Sequence, residues 1–428
     1  MTFFFPQYSF LFILWHYCGG AFYIKEQIIN LTQITFEVTD KCNLSCQYCA
    51  YGELYNDYDV RDNCNLKFDD AKTLIDYISA FWYSDKYPSV NKKIAIGFYG
   101  GEPLLNIKLI KKIICYLENI KPNHLDFYYV MTTNGILLDK HIDYLISKNF
   151  MISISFDGNR SNNDYRTDKN KNNRFEVIYR NAKNIQKNYN DFFNTNINFL
   201  SVLHNKNSVS EIVGFIKSEF NKIPSIAEVN PTGIRNDKIE DFRNMFQNMN
   251  DSVAKADNLE SLQNDLFTRA PDIRSLLFYL HTFSGNVIRD YSGFFIESKK
   301  RNWLPTGTCV PFSKKIFLKV NGKILPCERI GHQFYLGKVE AGNITLDFEY
   351  IAKLYNGYYD KLKKQCSSCY QLKGCLLCIF NIESLESTLN CNQYMGINRL
   401  KKNLIKNVSL LEEHNELYFK IMDEVTIE

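Results

Sequence analysis

Neither sign of charge is in clear excess: Lys and Arg total 51 against 47 Asp and Glu over 428 residues, a formal net charge of +4. A balance this even argues for neither nucleic acid nor an acidic membrane surface as an obligate partner. A secretion signal is missing too, because no Lys or Arg precedes Lys25, whereas a signal peptide carries positive charge ahead of its apolar core. The apolar opening, Phe3 to Ile24, is interrupted by Pro6, Gln7, Tyr8, Ser9, His16 and Gly19-Gly20. Length alone would permit a membrane span, but the strictly apolar part shrinks to Phe10–Trp15, so residues 1–30 read as an apolar extension, a buried strand pair or an interaction element in preference to a membrane anchor. No internal repeat is visible beyond a strand–helix unit.

Cysteine, in contrast, is plentiful. There are 13, and all but Cys18, Cys64 and Cys115 fall into two clusters of tight spacing. An odd total with CxxC pairs and no secretion signal fits reduced thiols that hold metal in a cytoplasmic compartment, not a disulfide framework. The first cluster is Cys42-Asn-Leu-Ser-Cys46-Gln-Tyr-Cys49. Three thiolates in one loop can converge on one soft metal centre, and the lack of a fourth ligand nearby matters. A structural zinc site wants four, whereas a cubane with three cysteines leaves one iron open. Cys115 lies on an apolar helical stretch and reads as core; Cys18 and Cys64 read as structural.

From residue 34 to about 232, strand-like runs alternate with helical periodicity. The strands are Ile34–Thr39, Ile94–Tyr99, Phe127–Thr132, Met151–Phe156, Ile197–Leu203 and Ile226–Asn230. Between them, sets such as Ala71, Leu74, Ile75, Ile78 and Trp82, or Ile110, Ile113, Ile114 and Leu117, mark one apolar face of a helix. This alternation predicts an α/β fold with a parallel sheet, a partial six-unit (β/α)6 TIM-like barrel. In such sheets the chemistry gathers just past the strands' C-terminal ends. Those positions hold the three cysteines, Gly100-Gly101-Glu102-Pro103, Thr132-Thr133-Asn134-Gly135, Asp157-Gly158 and His204-Asn205. Turn chemistry explains any one of them; it explains the set less well.

The second cluster comprises Cys309, Cys327, Cys366, Cys369, Cys375, Cys378 and Cys391. Asn321-Gly322 separates two alternating runs and predicts a hairpin that brings Cys309 and Cys327 together. Zinc and iron–sulfur are both chemically admissible for this set. The domain reading is therefore 1–30 extension, 31–235 barrel, 236–305 helical bridge, 306–395 cysteine-rich domain and 396–428 C-terminal helix. That last helix runs from Ile397 to Met422 with Leu400, Leu404, Val408 and Leu411 as its packing stripe.

At this point the chain resembles the radical S-adenosylmethionine enzymes with a C-terminal SPASM domain, specifically peptide maturases. CxxxCxxC at 42–49 is similar to the family's cluster motif, and Gly100, Gly101, Glu102 and Pro103 to the segment that holds the cofactor's amino group. Ser155-Phe-Asp157-Gly, followed by Asp164-Tyr-Arg166, resembles its ribose and carboxylate contacts, with Asn134 in the same shell and Tyr48 against the adenine. The resemblance implies a 4Fe-4S cluster on Cys42, Cys46 and Cys49, with S-adenosylmethionine on the open iron and a protein that places and protects a radical. It also implies two auxiliary 4Fe-4S clusters and so favours iron–sulfur over zinc. One would sit on Cys366, Cys369, Cys375 and Cys391, the other on Cys309, Cys327 and Cys378. Two departures stand out. Only two residues separate Cys375 from Cys378 where the family has three, and the last set finds only three cysteines, leaving an iron open or completed by another residue.

Glu328 follows Cys327 where anaerobic sulfatase maturases carry an acidic base, and its alternative reading is an ion pair with Arg329. The resemblance, including FYGGEPLLN, MTTNG, PTGTC and CERIG, points to crosslinking of a ribosomally made precursor peptide with a leader, with a flavodoxin- or ferredoxin-type electron donor. Residues 1–30 could offer that leader an edge strand. The alternatives are formylglycine formation by a sulfatase maturase and, in another class, a non-catalytic zinc-binding module.

Overall fold

The computed structural model describes residues 20–83, 92–283, 306–372, 375–382, 391 and 393–425. The chain enters through helix α1 (Ala21–Gln27) and a 3-10 turn at Ile28–Asn30. Ile24, Ile28, Ile29 and Leu31 are buried in the main core. Residues 21–30 are thus helical, Ile24 and Ile28 repeating at helical spacing against the core, while the strand pair or interaction element expected of Phe3–Ile24 falls mostly on residues 1–19, outside the described residues.

Six βα units follow. The strands are β1 (Gln33–Thr39), β2 (Lys92–Gly100), β3 (Leu125–Thr133), β4 (Met151–Ser155), β5 (Ile197–Leu203) and β6 (Ser225–Glu228), all paired in parallel in chain order. Between them run α2 (Phe68–Trp82), α3 (Ile107–Ile120), α4 (Leu138–Ser147), α5 (Phe175–Asn188) with α6 (Asn190–Asn196), and α7 (Val209–Phe220). Each helix turns its apolar stripe to the sheet: Leu74, Ile75 and Ile78 of α2 are fully buried, as are Ile110, Ile113, Ile114 and Leu117 of α3. Cys115 is exposed, contrary to its core reading. One residue past Ile114, it is rotated about 100° around the helix, off the buried face.

The bridge is helical where described: α8 (Ile239–Met245), α9 (Met249–Ala254), α10 (Leu259–Leu266) and α11 (Pro271–Phe283), with residues 284–305 outside the described residues. The C-terminal part then returns to the sheet. Strands β7 (Lys315–Leu318) and β8 (Lys323–Leu325) form the hairpin around Asn321-Gly322, where Gly322 takes φ +80° and a Cβ would stand 2.1 Å from the Val339 carbonyl oxygen. β7 pairs in parallel with β1, Gln33 against Lys315 through Phe36 against Leu318, and β9 (Gly337–Glu340) and β10 (Asn343–Leu346) extend the edge. The result is one ten-stranded sheet, β10-β9-β8-β7-β1-β2-β3-β4-β5-β6, continuous across the boundary drawn at residue 305.

Helix α12 (Phe348–Ser367) packs on α1, and α13 (Ile397–Glu413) and α14 (Glu416–Glu424) close the chain. The single C-terminal helix expected from the periodicity is thus two, broken at His414-Asn415. Leu410 and Leu411 before the break, and Leu417 and Ile421 after it, pack on the core shared with α7, α9, α10 and α11. Val408 of the expected stripe is 41% exposed, and the buried residue on α13 is Asn407, whose Oδ1 accepts a hydrogen bond from Ser275 Oγ at 3.1 Å.

Candidate functional site

The loop after β1 is held by its neighbours' backbones. Gly101 N–H donates to the Thr39 carbonyl at 2.9 Å and Glu102 N–H to the Lys41 carbonyl at 2.8 Å. A Cβ at Gly100 (φ +140°) would stand 2.0 Å from the Thr39 oxygen, and one at Gly101 2.1 Å from the Lys41 oxygen, so only glycines allow this approach to the start of the cysteine loop. Pro103 opens a 3-10 turn for which Glu102 is the N-cap, accepting from Leu104 N–H at 3.0 Å.

Glu102 is fully buried. Its carboxylate also accepts from Thr133 Oγ1 and from Asn134 N–H, both at 2.8 Å, which ties the end of β2 to the end of β3. Asn134 in turn donates through Nδ2 to Asn43 Oδ1 at 2.7 Å and lies 3.9 Å from Cys42 Sγ. The Glu102 side chain is therefore framework for the cysteine loop. Burial pushes its carboxyl up to about 7, against the lowering effect of the Asn134, Thr133 and Leu104 hydrogen bonds. With the folded pKa above the unfolded one, the native state binds the extra proton, and this group's contribution to stability is present below about pH 4.3 and lost as pH rises through about 7. Urea unfolding at pH 5 and pH 8 is expected to show that slope flattened in Glu102→Gln by up to about 3 kcal/mol; equal slopes would mean Glu102 stays ionised throughout.

At the end of β4, Asp157 and Arg166 form a buried, two-pronged pair, Arg166 Nε to Oδ2 at 2.9 Å and Nη2 to Oδ1 at 3.1 Å. Val202 N–H donates to Asp157 Oδ1 at 2.9 Å, and the Tyr48 hydroxyl donates to Oδ2. Burial alone would raise the Asp157 pKa; the Arg166 charge, with hydrogen bonds from Arg166 and Tyr48 and His204 Nε2 at 3.8 Å, holds it below the usual carboxylate range. The Tyr48 ring stacks on His204 (5.8 Å, 24°) beneath the Arg166 guanidinium at 5.4 Å, so Tyr48 links the cysteine loop to β4 and β5. Ser155 ends β4, half-buried.

Burial pushes the Cys46 thiol up to about 12 and that of Cys42 above its ordinary value, while Arg166 and Arg61 respectively act in the opposite sense. Thiolates here therefore call for positive charge, which a metal centre supplies. Among the described residues no three His, Cys, Asp or Glu side chains stand close enough to hold a single metal ion.

The second cysteine set separates into two groups. Cys366, Cys369, Cys375 and Cys391 line one small cavity; Cys309, Cys327 and Cys378 line another of about 870 Å³. Burial raises Cys327 and Cys366 to about 12 and Cys378 to about 11. Beside Cys327, Glu328 binds Lys315 Nζ at 2.7 and 2.8 Å, whereas Arg329, 85% exposed, stays 3.9 Å away. Lys315 is thus the closer of two ion-pair partners, because antiparallel β7 lays it across from the end of β8, and the expected pair with Arg329 is the longer, solvent-exposed one. Despite burial, Lys315 keeps Glu328 below its usual pKa.

Sequence reasoning missed a polar group behind the cysteine loop. Buried Lys319 reaches Asp59 Oδ2 at 2.7 Å and His332 Nδ1 at 2.6 Å, and buried Glu37 accepts from the Tyr51 hydroxyl at 2.5 Å and Val320 N–H at 3.1 Å. None of them left a local signal, since Glu37 falls on the polar positions of an alternating strand with Gln33, Thr35 and Thr39.

Comparison with known proteins now bears on the same residues. The Radical SAM superfamily profile matches residues 36–218, which hold the cysteine loop, Gly100–Pro103 and the Asp157–Arg166 pair. Those residues form a radical SAM domain. The cysteine-type anaerobic sulfatase-maturating enzyme of Clostridium novyi (strain NT) is 24% identical over 195 residues, 44% of this chain and 49% of that enzyme. A radical SAM cyclopropyl synthase of Paramaledivibacter caminithermalis is 28% identical over 145 residues, 32% of this chain and 30% of the synthase. The chain thus spans at most about half the length of these curated relatives. The solved structure of native anSMEcpe with bound AdoMet shares the fold, with TM-score 0.59 and 16% identity over 92% of this chain and 100% of that one. Among the described residues no helix is long and apolar enough to cross a membrane.

Proposed function

We propose that this chain is a radical S-adenosylmethionine enzyme with a SPASM-type C-terminal domain that crosslinks a ribosomally made precursor peptide. The observation that carries the reading is the convergence of the cysteine loop, the Gly100–Pro103 turn and the Asp157–Arg166 pair at one end of the parallel sheet. Cys42, Cys46 and Cys49 would hold a 4Fe-4S cluster. Cys366, Cys369, Cys375 and Cys391 would hold one auxiliary cluster, and Cys309, Cys327 and Cys378 another with a position left for a further ligand. When bound, the first cluster and S-adenosylmethionine supply one-electron cleavage of a sulfonium carbon–sulfur bond and hence hydrogen-atom abstraction, the cofactor's own chemistry.

The protein's share is placement. Glu102 and Asn134 fix the loop that carries Cys42. Tyr48, Asp157 and Arg166 make a rigid wall beside Cys46, and Gly101, Pro103 and Ser155 complete the rim where the cofactor would lie. Glu328, kept ionised by Lys315, is positioned to accept a proton beside Cys327. Glu328→Gln is expected to leave S-adenosylmethionine cleavage intact while peptide modification falls about 10²–10⁴-fold; equal loss of both would remove Glu328 from the role of base.

Relatives named for sulfatase maturation, and a solved neighbour at 15% identity and TM-score 0.58 that holds a Cp18Cys peptide with AdoMet, support a peptide or protein substrate and favour formylglycine formation as the second reading. A reducing cytoplasm and a flavodoxin- or ferredoxin-type donor fit the oxygen-sensitive centres. Co-expression with any short peptide encoded beside the gene, and separately with a sulfatase, followed by mass spectrometry, decides. A loss of hydrogens with a new intrapeptide bond supports crosslinking. Conversion of a sulfatase cysteine or serine to formylglycine, with the peptide unchanged, replaces it by the second reading.

A further inference from the structure

The segment after the cysteine loop folds back over it. Asp62 N–H donates to Asp40 Oδ2 at 2.9 Å, Asp40 N–H to the Cys64 carbonyl at 3.2 Å, and Leu66 N–H to the Val38 carbonyl at 3.1 Å. These bonds pin residues 62–66 to the end of β1 and hold Arg61 above the cysteines. Its guanidinium lies 4.6 Å over the Tyr51 ring, and Tyr51 is itself anchored to the buried carboxylate of Glu37. Nη2 of Arg61 donates to Cys49 Sγ at 3.4 Å, while its buried Nε has no acceptor. Among the described residues no carboxylate lies within ion-pair distance of Arg61.

A partly buried cation without a carboxylate is costly unless some other negative charge faces it. Here the polar group it faces is a thiol of the cysteine loop, and Cys42 also feels its charge. Hydrogen bonds and charge directed at cluster sulfurs are among the means by which a protein sets a cluster's potential. Reduction adds one electron to the cluster, so a fixed cation donating to one of its sulfurs favours the reduced state. We propose that Arg61 raises the reduction potential of the cluster held by Cys42, Cys46 and Cys49 through its hydrogen bond to the Cys49 sulfur. Resting on the radical SAM reading of those cysteines, the proposal gives Arg61 a tuning role: it eases the entry of the electron that the reaction needs.

The experiment is a redox titration of full-length, anaerobically reconstituted protein followed by electron paramagnetic resonance. The Cys46→Ala protein is subtracted to isolate the cluster of the first cysteine loop. Arg61→Gln is expected to lower the equilibrium constant for one-electron reduction at least tenfold, a midpoint more negative by at least 59 mV for a one-electron couple, with iron and sulfide content unchanged. Arg61→Lys, which keeps the charge but not the fork, is expected to recover part of the shift and covers the case in which Arg61→Gln folds poorly. The shift must be present without S-adenosylmethionine. An unmoved potential, or a shift seen only when S-adenosylmethionine is added, overturns the proposal; the latter would make Arg61 a contact for the cofactor's carboxylate. Wild-type protein that cleaves S-adenosylmethionine with no shift in Arg61→Gln refutes the tuning role alone. Wild-type protein that assembles no cluster on these cysteines refutes both readings.

Discussion

Cys46→Ala is expected to lose about four irons per chain, one cubane, and to cleave no detectable S-adenosylmethionine while keeping its fold. In the centre proposed above, Cys42, Cys46 and Cys49 would be the whole protein contribution, so removing one would leave two thiolates, too few to hold a cluster with an iron open. The fold has little at stake. Cys46 is only partly buried and belongs to a loop whose shape is set by backbone bonds: Cys49 N–H to the Cys46 carbonyl at 3.1 Å, and Gln47 N–H to the Tyr165 carbonyl at 3.1 Å. Neither needs the thiol. A substitution of this kind costs about 1 kcal/mol or less, and burying a thiol pushed up to about 12 without its metal is no advantage to the native state. Iron analysis, thermal unfolding and chromatographic assay of the cleaved cofactor together check the prediction. Retained cleavage, or iron loss only because the protein unfolds, would remove Cys46 from the site.

The parts legible in the sequence were those with a local signature. Three thiols at CxxxCxxC spacing, glycines where a strand end must touch a neighbouring backbone, and the change from period 2 to period 3.6 six times over each depend on residues close in the chain. The parts that stayed hidden depend on residues far apart. Nothing around Lys315–Leu318 says that it pairs with Gln33–Phe36, some 280 positions earlier by the register, because both are short apolar strands that would fit many partners. That pairing also brings Lys319 and His332 to Asp59, and Val320 to Glu37, which explains why the polar support of the cysteine loop could not be foreseen. The helix at 21–30 is a case of tertiary packing deciding between local options.

Arg166→Met is expected to destabilise the fold by about 3–5 kcal/mol, the loss typical when one half of a buried pair is removed. Asp157 is fully buried and so would keep an uncompensated carboxylate, with Val202 N–H, Tyr48 and His204 as its remaining partners. The pH dependence should change sign as well. In the wild type the folded pKa of Asp157 is depressed, so its contribution is present above about pH 3.9 and lost as pH falls through the lower, folded value. Without Arg166 the burial effect prevails, the folded pKa rises above the unfolded one, and stability from this group falls as pH increases. Urea unfolding of Arg166→Met at pH 5 and pH 7.5 reads both effects. The double variant Asp157→Asn/Arg166→Met removes both charges while leaving an oxygen for Val202 N–H, and is expected to recover most of the loss. S-adenosylmethionine affinity in that stable double variant then separates two roles for the pair. Affinity restored along with stability would make Asp157 and Arg166 a strut that orients Tyr48 and the ends of β4 and β5. Affinity still lost would place their polar atoms against the cofactor itself. A loss below about 1 kcal/mol in Arg166→Met would show that solvent reaches Asp157 and that the pair is no buried strut at all.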